Sequence, residues 1–307
     1  MTPDAPGAIR VCAVVVSYYP DVHMLRKVFK ALSSQVSAIL LVDNTPNEDP
    51  EINNVALDFC AKRLQLGKNH GIAHGHNCGI RWARERDFSH VLLMDQDSVP
   101  RRNMVEELVK AQAQLVANGI YVAALGPSVS DEKYGGPSPF IVREGWRIRK
   151  IYCTGDDRKT YLVEYIISSG SLIAIDVLDQ VGEMDESLFI DYVDIEWGLR
   201  ARSKGFSCFG VCTAVMDHCL GDFALEIPFS RGRRVPVRTP LRHYYQFRNA
   251  IRVYRRTYAP LAWVINDAYR LALKYLYYAL LTPPRWQHLK MMTLGLWHGV
   301  LDRGGSF

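Results

Sequence analysis

Three apolar runs limit what this chain can fold into. Residues 9–18 (IRVCAVVVSY), 38–42 (AILLV) and 91–94 (VLLM) are β-branched or aliphatic almost throughout, and each gives way to polar residues: Ser17, Asp43-Asn44, and Asp95 with Asp97. Unbroken apolar strands mark a parallel sheet covered on both faces. Helical pattern separates them. Pro20-Asp21 opens a helix to about Ser34, apolar at Val22, Leu25, Val28, Phe29 and Leu32. Residues 51–62 read as a second helix, 64–66 as a short strand, and 80–85 as a third helix. Such alternation with short connections predicts an α/β fold with helices on both faces of the sheet. Ligands in these sheets bind beyond the carboxyl ends of the strands. Ser17, Asp43, Asn69 and the Asp95/Asp97 pair all fall at those ends.

Further along, 101–118 reads as a helix and 121–125 as a strand. Residues 126–160 look irregular, a loop or small hairpin around Gly135-Gly136-Pro137. A strand over 163–167 enters Ser168-Ser169-Gly170-Ser171, then an apolar segment at 172–175 and a helix at 176–181. Residues 206–211 and 215–218 are strand-like. The pattern divides the chain into an α/β unit over 9–225 and a basic, aromatic, helical region over 226–307.

The net charge of +5 is uneven. No acid lies between Pro228 and Asn266, and nine arginines lie between Arg231 and Arg256. Such a block suits phosphates, acidic lipid or nucleic acid. Seven cysteines form no regular framework, and no basic-then-apolar leader opens the chain. The expectation is reduced thiols in the cytoplasm. Cys208, Cys212, His218 and Cys219 match none of the common zinc spacings.

Asp95 and Asp97 carry the most chemistry. Positions i and i+2 of a strand share a face, so the two carboxylates would converge, with Gln96 pointing away. Paired carboxylates resist joint ionisation. A hard divalent cation, Mg²⁺ or Mn²⁺, relieves that conflict and completes its shell with substrate phosphates. Residues 69–79 (NHGIAHGHNCG) read as a loop whose glycines let backbone approach a ligand, with Asn69 and Asn77 as contacts or helix caps. His74 and His76 read as metal ligands or as loop and helix-start contacts. The segment is neither G-x-G-x-x-G nor a Walker loop, which disfavours nicotinamide enzymes and P-loop ATPases. A second acidic cluster, Asp191, Asp194 and Glu196, precedes helical sequence. Asp194 reads as a carboxylate at a helix start, either a base aimed into a cleft or a first-turn acid complementing the helix dipole.

Taken in order, VVVSYYPD (14–21), VDN (42–44), NHGIAHGHNCGI (69–80), MDQDS (94–98), SSGSLI (168–173), LFIDYVDIEWGLR (188–200) and HCLGD (218–222) resemble the inverting family 2 glycosyltransferases. Within that family the chain is most similar to bacterial rhamnosyltransferases. The resemblance implies a GT-A fold, a Rossmann-like nucleotide half joined to an acceptor half. It implies that Ser17, Tyr19, Asp43, Asn69, Asn77, Asp95, Gln96 and Arg248 hold the nucleotide sugar, with Asp43 at the base. Asp95 and Asp97 would bind Mg²⁺ or Mn²⁺, with His218 completing the shell. Asp194 would be the catalytic base, and Gly170, Ser171 and Asp191 would lie on the acceptor side. Relatives carry Glu-Asp where this chain has Val193-Asp194, which leaves Asp191 as a rival base. A non-catalytic binding subunit is the competing class. The implied partners are dTDP-rhamnose and a glycan or glycolipid acceptor, not nucleic acid.

In the basic third, Arg248, Arg252 and Arg255 share a helical face, either a clamp for diphosphate or phospholipid or a solvated face. Residues 261–282 are apolar apart from a stripe of Asp267, Arg270 and Lys274, which argues against spanning a bilayer. The expectation is a helix at a membrane interface, at the inner face of the plasma membrane, or one packed in the core or between copies.

Overall fold

Strand β1 (Val11–Ser17) is buried on both faces, and its alternate residues enter two different cores. Cys12, Val14 and Val16 join one core with Ala73, Ile80 and Ala83 of helix α3 (Ile72–Arg84). Val11, Ala13 and Val15 join the other. There they meet α1 (Val22–Leu32), α2 (Pro50–Asp58) and α4 (Met104–Ala117). Period-two alternation thus places helices on both faces. Each fully buried aliphatic side chain contributes about 1.5–3 kcal/mol. Helix starts follow the sequence signals. Asp21 accepts from Met24 N–H, and Asp49 accepts from Glu51 N–H with Pro50 in the first turn.

The computed structural model describes residues 9–131, 136–154, 158–218, 224–226, 234–236 and 238–307; the readings at Cys219, Gly221, Arg231 and Arg233 lie outside them. The remaining strands are β2 (Ala38–Asp43), β3 (Lys62–Gln65), β4 (His90–Asp95), β5 (Ser98–Pro100), β6 (Val122–Asp131) and β7 (Gly136–Pro137). After them come β8 (Phe140–Glu144), β9 (Arg147–Ile151), β10 (Thr160–Val163), β11 (Ser171–Ala174), β12 (Ser207–His218), β13 (Ala224–Glu226) and β14 (Arg234–Pro236). Helices α5 (Ile175–Val181), α6 (Val193–Ser203), α7 (Pro240–Tyr254), α8 (Leu261–Leu280) and α9 (Arg285–Val300) complete the chain.

The main sheet runs β10-β12-β6-β11-β4-β1-β2-β3. Strands β4, β1, β2 and β3 are parallel, and β11 is antiparallel to β4. The register pairs Ser17 with Asp43 and Val16 with Asp95, so three strand ends form one edge. Residues 140–151 form the expected hairpin, β8 with β9. Residues 122–131, by contrast, form one long strand rather than passing into a loop.

Helix α3 begins at Ile72, so most of the Gly/His/Asn-rich segment is helix, not loop. Its glycines serve packing. A Cβ on Gly75 would stand 2.7 Å from Val16 Cγ1, and one on Gly79 would stand 2.1 Å from Val14 Cγ1. The helix lies against β1 only because nothing projects there. Similarly, a Cβ on Gly295 of α9 would meet the Tyr244 carbonyl of α7 at 2.4 Å.

Of the polar stripe on α8, Asp267 and Lys274 face inward while Arg270 stays exposed. Asp267 is buried and accepts from Tyr192 Oη at 2.6 Å and Tyr254 Oη at 2.7 Å, and Lys274 donates to Gln246 Oε1 at 2.5 Å. The apolar face of α8, with Ile265, Tyr269, Leu273, Leu276 and Leu280, is the exposed one. Among the described residues, no helix is long and apolar enough to cross a membrane. The cysteines are not all reduced, because Cys153 and Cys212 are joined by a disulfide that ties the segment after β9 to β12. Its partner being sulfur, Cys212 is no zinc ligand.

Candidate active site

The floor of the site is set by Asp43, fully buried at the end of β2. One carboxylate oxygen accepts from Ser17 Oγ and Thr45 N–H, both at 3.0 Å, and the other accepts from Arg63 at 2.7 Å. Asp43 therefore spends its oxygens on tying β1, β2 and β3 together, and Ser17 faces it rather than open space. What the edge exposes is Tyr18 and Tyr19, 45% and 59% accessible, with rings 4.7 Å apart in an edge-on arrangement. Tyr19 sits at φ +46°, its N–H on Thr45 Oγ1. Gln96 accepts from Tyr18 N–H at 2.7 Å, so it braces this edge. Asn69 accepts from Gly71 N–H and stays half-buried beside it. Asn77 is buried in α3, donates to Met184 O and Glu186 Oε1, and accepts from Met184 N–H, all near 3 Å. Its amide thus serves as a staple between elements. His74 pairs with the same Glu186 at 2.7 Å, and His76 is wholly buried.

Asp95 and Asp97 lie near enough for one charge to act on the other, and strand alternation is not what places them. Strand β4 stops at Asp95, Gln96 and Asp97 form a turn, and β5 pairs antiparallel with β12. That pairing brings His218 opposite Ser98, whose Oγ lies 2.7 Å from His218 Nδ1, and within 3.7 Å of Asp97. Burial pushes the Asp95 carboxyl up, and the Asp97 charge adds to it, while His218 and Arg242 act the other way. The donor set of two carboxylates and an imidazole suits a hard divalent cation, and added positive charge is what the strained pair lacks. Among the described residues, no three such side chains stand preformed around one point.

The turn at 168–170 lies between this pair and Asp194. Asp95 N–H donates to Ser169 Oγ at 3.1 Å, and Ser168 and Asp194 line one small cavity. Gly170 (φ +83°) closes the turn, and a Cβ there would press on Pro127 at 2.6 Å. Gly170 and Ser171, expected on the acceptor side, are buried in this turn and at the start of β11. Asp194 lies in the first turn of α6, half-buried, and accepts from Ile195 N–H at 2.9 Å. Behind it is a cavity of about 10 Å³, room for one water, walled by Leu93, Trp197 and Cys208 among others. Burial raises its carboxyl to about 6, only partly offset by the Ile195 N–H.

Asp191 is no rival base. It forms ion pairs with Arg238 at 2.6 Å and Arg242 at 2.9 Å. Burial alone would raise this carboxyl, but Arg238 and then Arg242 outweigh it and hold it below the ordinary range. Phe189, Asp191 and Tyr192 all have φ near +65°, a conformation that costs of order 1–3 kcal/mol at each such residue.

Arg248 is fully buried rather than on a solvated face. It donates to the carbonyls of Leu188 at 3.0 Å and Gly305 at 2.6 Å, and to Asn249 Oδ1. Arg252 is also buried, on Asp302 and the Ser187 carbonyl, and only Arg255 stays exposed. Reading the sequence missed Arg63, Ser169, Arg242 and Asn249. Arg242 and Asn249 lie three and four residues from Tyr245 in the HYYQFRN stretch, a run of polar residues at buried helical positions that was the available signal.

A ten-stranded mixed sheet with an acid pair at its parallel edge and a carboxylate across a short turn defines a GT-A transferase framework. The chain belongs to glycosyl transferase family 2, whose model matches residues 13–182. It is a glycosyltransferase. It is 31% identical over 265 residues to the dTDP-rhamnosyl transferase RfbF of Shigella flexneri, covering 84% of each chain. It is 22% identical over 208 residues to the low-salt glycan biosynthesis hexosyltransferase Agl10 of Haloferax volcanii, covering 66% of this chain and 65% of that one. Its fold is similar to a crystal structure of GalNAc-T7 with UDP, GalNAc and Mn²⁺, at a TM-score of 0.60 and 12% identity. That match covers 97% of this chain and 57% of the other.

Proposed function

We propose that this protein transfers L-rhamnose from dTDP-β-L-rhamnose to a hydroxyl of a glycan or lipid-linked oligosaccharide, with inversion at the anomeric carbon. The donor is supported by the similarity to a dTDP-rhamnosyl transferase. The chemistry is supported above all by one observation: Asp95 bonds to Ser169 while Asp194 shares a small cavity with the adjoining Ser168. Asp95 and Asp97, with His218, would hold Mg²⁺ or Mn²⁺, which supplies Lewis-acid charge to a departing diphosphate. Tyr18 and Tyr19 offer ring faces to the base. Asp194 takes the proton from the acceptor hydroxyl. Its walled position raises its basicity, and at neutral pH it remains ionised. Asp191 keeps Arg238 and Arg242 beside the site without competing for that proton. The organisation into a catalytic unit over 9–225 and a helical region over 226–307 belongs to the same proposal.

The test is a panel of nucleotide sugars with Mn²⁺, scored by thermal shift and by nucleotide release. dTDP-rhamnose should give the largest shift, and Asp97→Asn should remove both the Mn²⁺-dependent shift and turnover. Full turnover by that variant would refute the metal role, and an equal response to every donor would refute the sugar.

The same reading places the exposed face of α8 on an anionic bilayer surface. Ile265, Tyr269, Leu273, Leu276 and Leu280 repeat every three or four residues along it, and Trp286 of α9 is 83% accessible nearby in sequence. Between 227 and 301 the sequence has a single acid, Asp267, which is buried. An apolar face in basic surroundings is complementary to acidic lipid, whereas a second copy would bring like charge to the rim.

A further inference from the structure

Arg248 is a fully buried cation whose partners are backbone carbonyls, an amide oxygen and two tyrosine rings, not a carboxylate. Such a group is expensive to bury, and an apolar side chain of like size would serve packing better. Its neighbour Asn249 is equally buried, and its two amide hydrogens are shared among three carbonyls, those of Leu188 at 2.8 Å, Ile190 at 2.8 Å and Asp191 at 2.9 Å from Nδ2. These carbonyls belong to the segment in which Phe189, Asp191 and Tyr192 are left-handed, immediately before Asp194. Left-handed non-glycine backbone persists only where its surroundings over-determine it.

We propose that Arg248 and Asn249 are positioning residues that hold the 187–192 backbone in this conformation and thereby aim the Asp194 carboxylate. The inference rests on the glycosyltransferase reading with Asp194 as base. The clamp is itself backed by the end of the chain. Gly305 N–H donates to Ser187 O at 2.7 Å while Gly305 O accepts from Arg248, and Arg252 bridges Ser187 O and Asp302. Helix α9 seats against α7 through Gly295 and Gly299, which fixes the helix from behind. From the other side Tyr192 is held by Asp267 of α8. Neither Arg248 nor Asn249 points at donor or acceptor, so neither is a catalytic residue.

The experiment compares full-length wild type, Asn249→Ala and Arg248→Lys, with Arg255→Ala as a control on the exposed face of α7. Nucleotide diphosphate binding with Mn²⁺ by calorimetry counts the folded sites, and transfer is expressed per site. The clamp predicts wild-type stoichiometry and nucleotide affinity. It also predicts about tenfold to a hundredfold slower transfer per site in Asn249→Ala, since a displacement near 1 Å is worth about that much. Arg248→Lys, which keeps one donor arm and loses the fork, should fall between. Wild-type turnover per site in both variants would overturn the proposal. So would rate and stoichiometry falling together, because that is the signature of lost folding alone. If Asn249→Ala does not fold, Arg248→Lys decides on the same readout. A wild-type protein that binds nucleotide but transfers no sugar sinks the enzymatic reading itself, whereas active wild type with indifferent variants sinks only the clamp.

Discussion

At neutral pH most Asp194 carboxyls, raised to about 6, have lost their proton and can accept one from a hydroxyl. Below pH 6 the base is occupied, so kcat should fall about tenfold per pH unit on the acid side. The same shift has a thermodynamic face. A carboxyl whose folded pKa lies above its unfolded value binds its proton more tightly when folded, so stability declines as pH rises from about 4 to 6 and stays reduced above. Asp194→Asn should therefore lower transfer by about 10²–10⁴-fold while raising Tm, with the gain larger at pH 8 than at pH 4.5. A pH series of activity and melting on both proteins checks this, and an equal Tm difference at the two pH values would contradict it. Asp194 itself was legible in the sequence as an acid at a helix start. That Asp191 is excluded as base was not, because its partners Arg238 and Arg242 lie some 50 residues downstream and only the fold brings them near.

Helix α3 shows where composition misleads. Glycine, histidine and asparagine over 69–79 read as a ligand loop, because helix propensity is low and no apolar stripe is visible. In the structure the glycines are a flat strip against Val14 and Val16. Gly79→Ala improves local propensity yet places a methyl 2.1 Å from Val14 Cγ1. It should destabilise the protein by about 1–3 kcal/mol, measurable by denaturant melting, and a stabilised variant would overturn the packing account. Strands fared better than helices. The apolar runs at 11–17, 38–43 and 90–95 announce themselves through burial on both faces, and their polar ends mark the site edge. The burial of Arg248 escaped the sequence for a plain reason: a spacing pattern says which residues share a face, not which way that face turns.

For the whole molecule, the parallel half of the sheet was readable because every connection is local. The second half was not, since β6, β11 and β12 pair across long separations and the 126–131 stretch becomes strand only when β12 lies beside it. In the C-terminal third, α8 turns Asp267 and Lys274 inward and Ile265, Tyr269, Leu273, Leu276 and Leu280 outward, a choice of face the sequence left open. If that outer face meets lipid, flotation with vesicles of phosphatidylglycerol and phosphatidylcholine should carry the protein upward. Leu276→Glu should leave it at the bottom of the gradient with transfer to a soluble acceptor intact. Dimers in sedimentation without vesicle binding would assign the face to a second copy instead.

One small seam joins the two sides of the cleft. Ile72 N–H, at the first residue of α3, donates to Phe189 O at 2.8 Å, and Gly71 has room for no Cβ because that carbonyl stands 2.4 Å from where it would be. The segment that leads from the nucleotide edge is thus stitched to the one that leads to the base. Under the proposed reaction, a donor that shifts residues 69–71 would be felt at Phe189, five residues before Asp194.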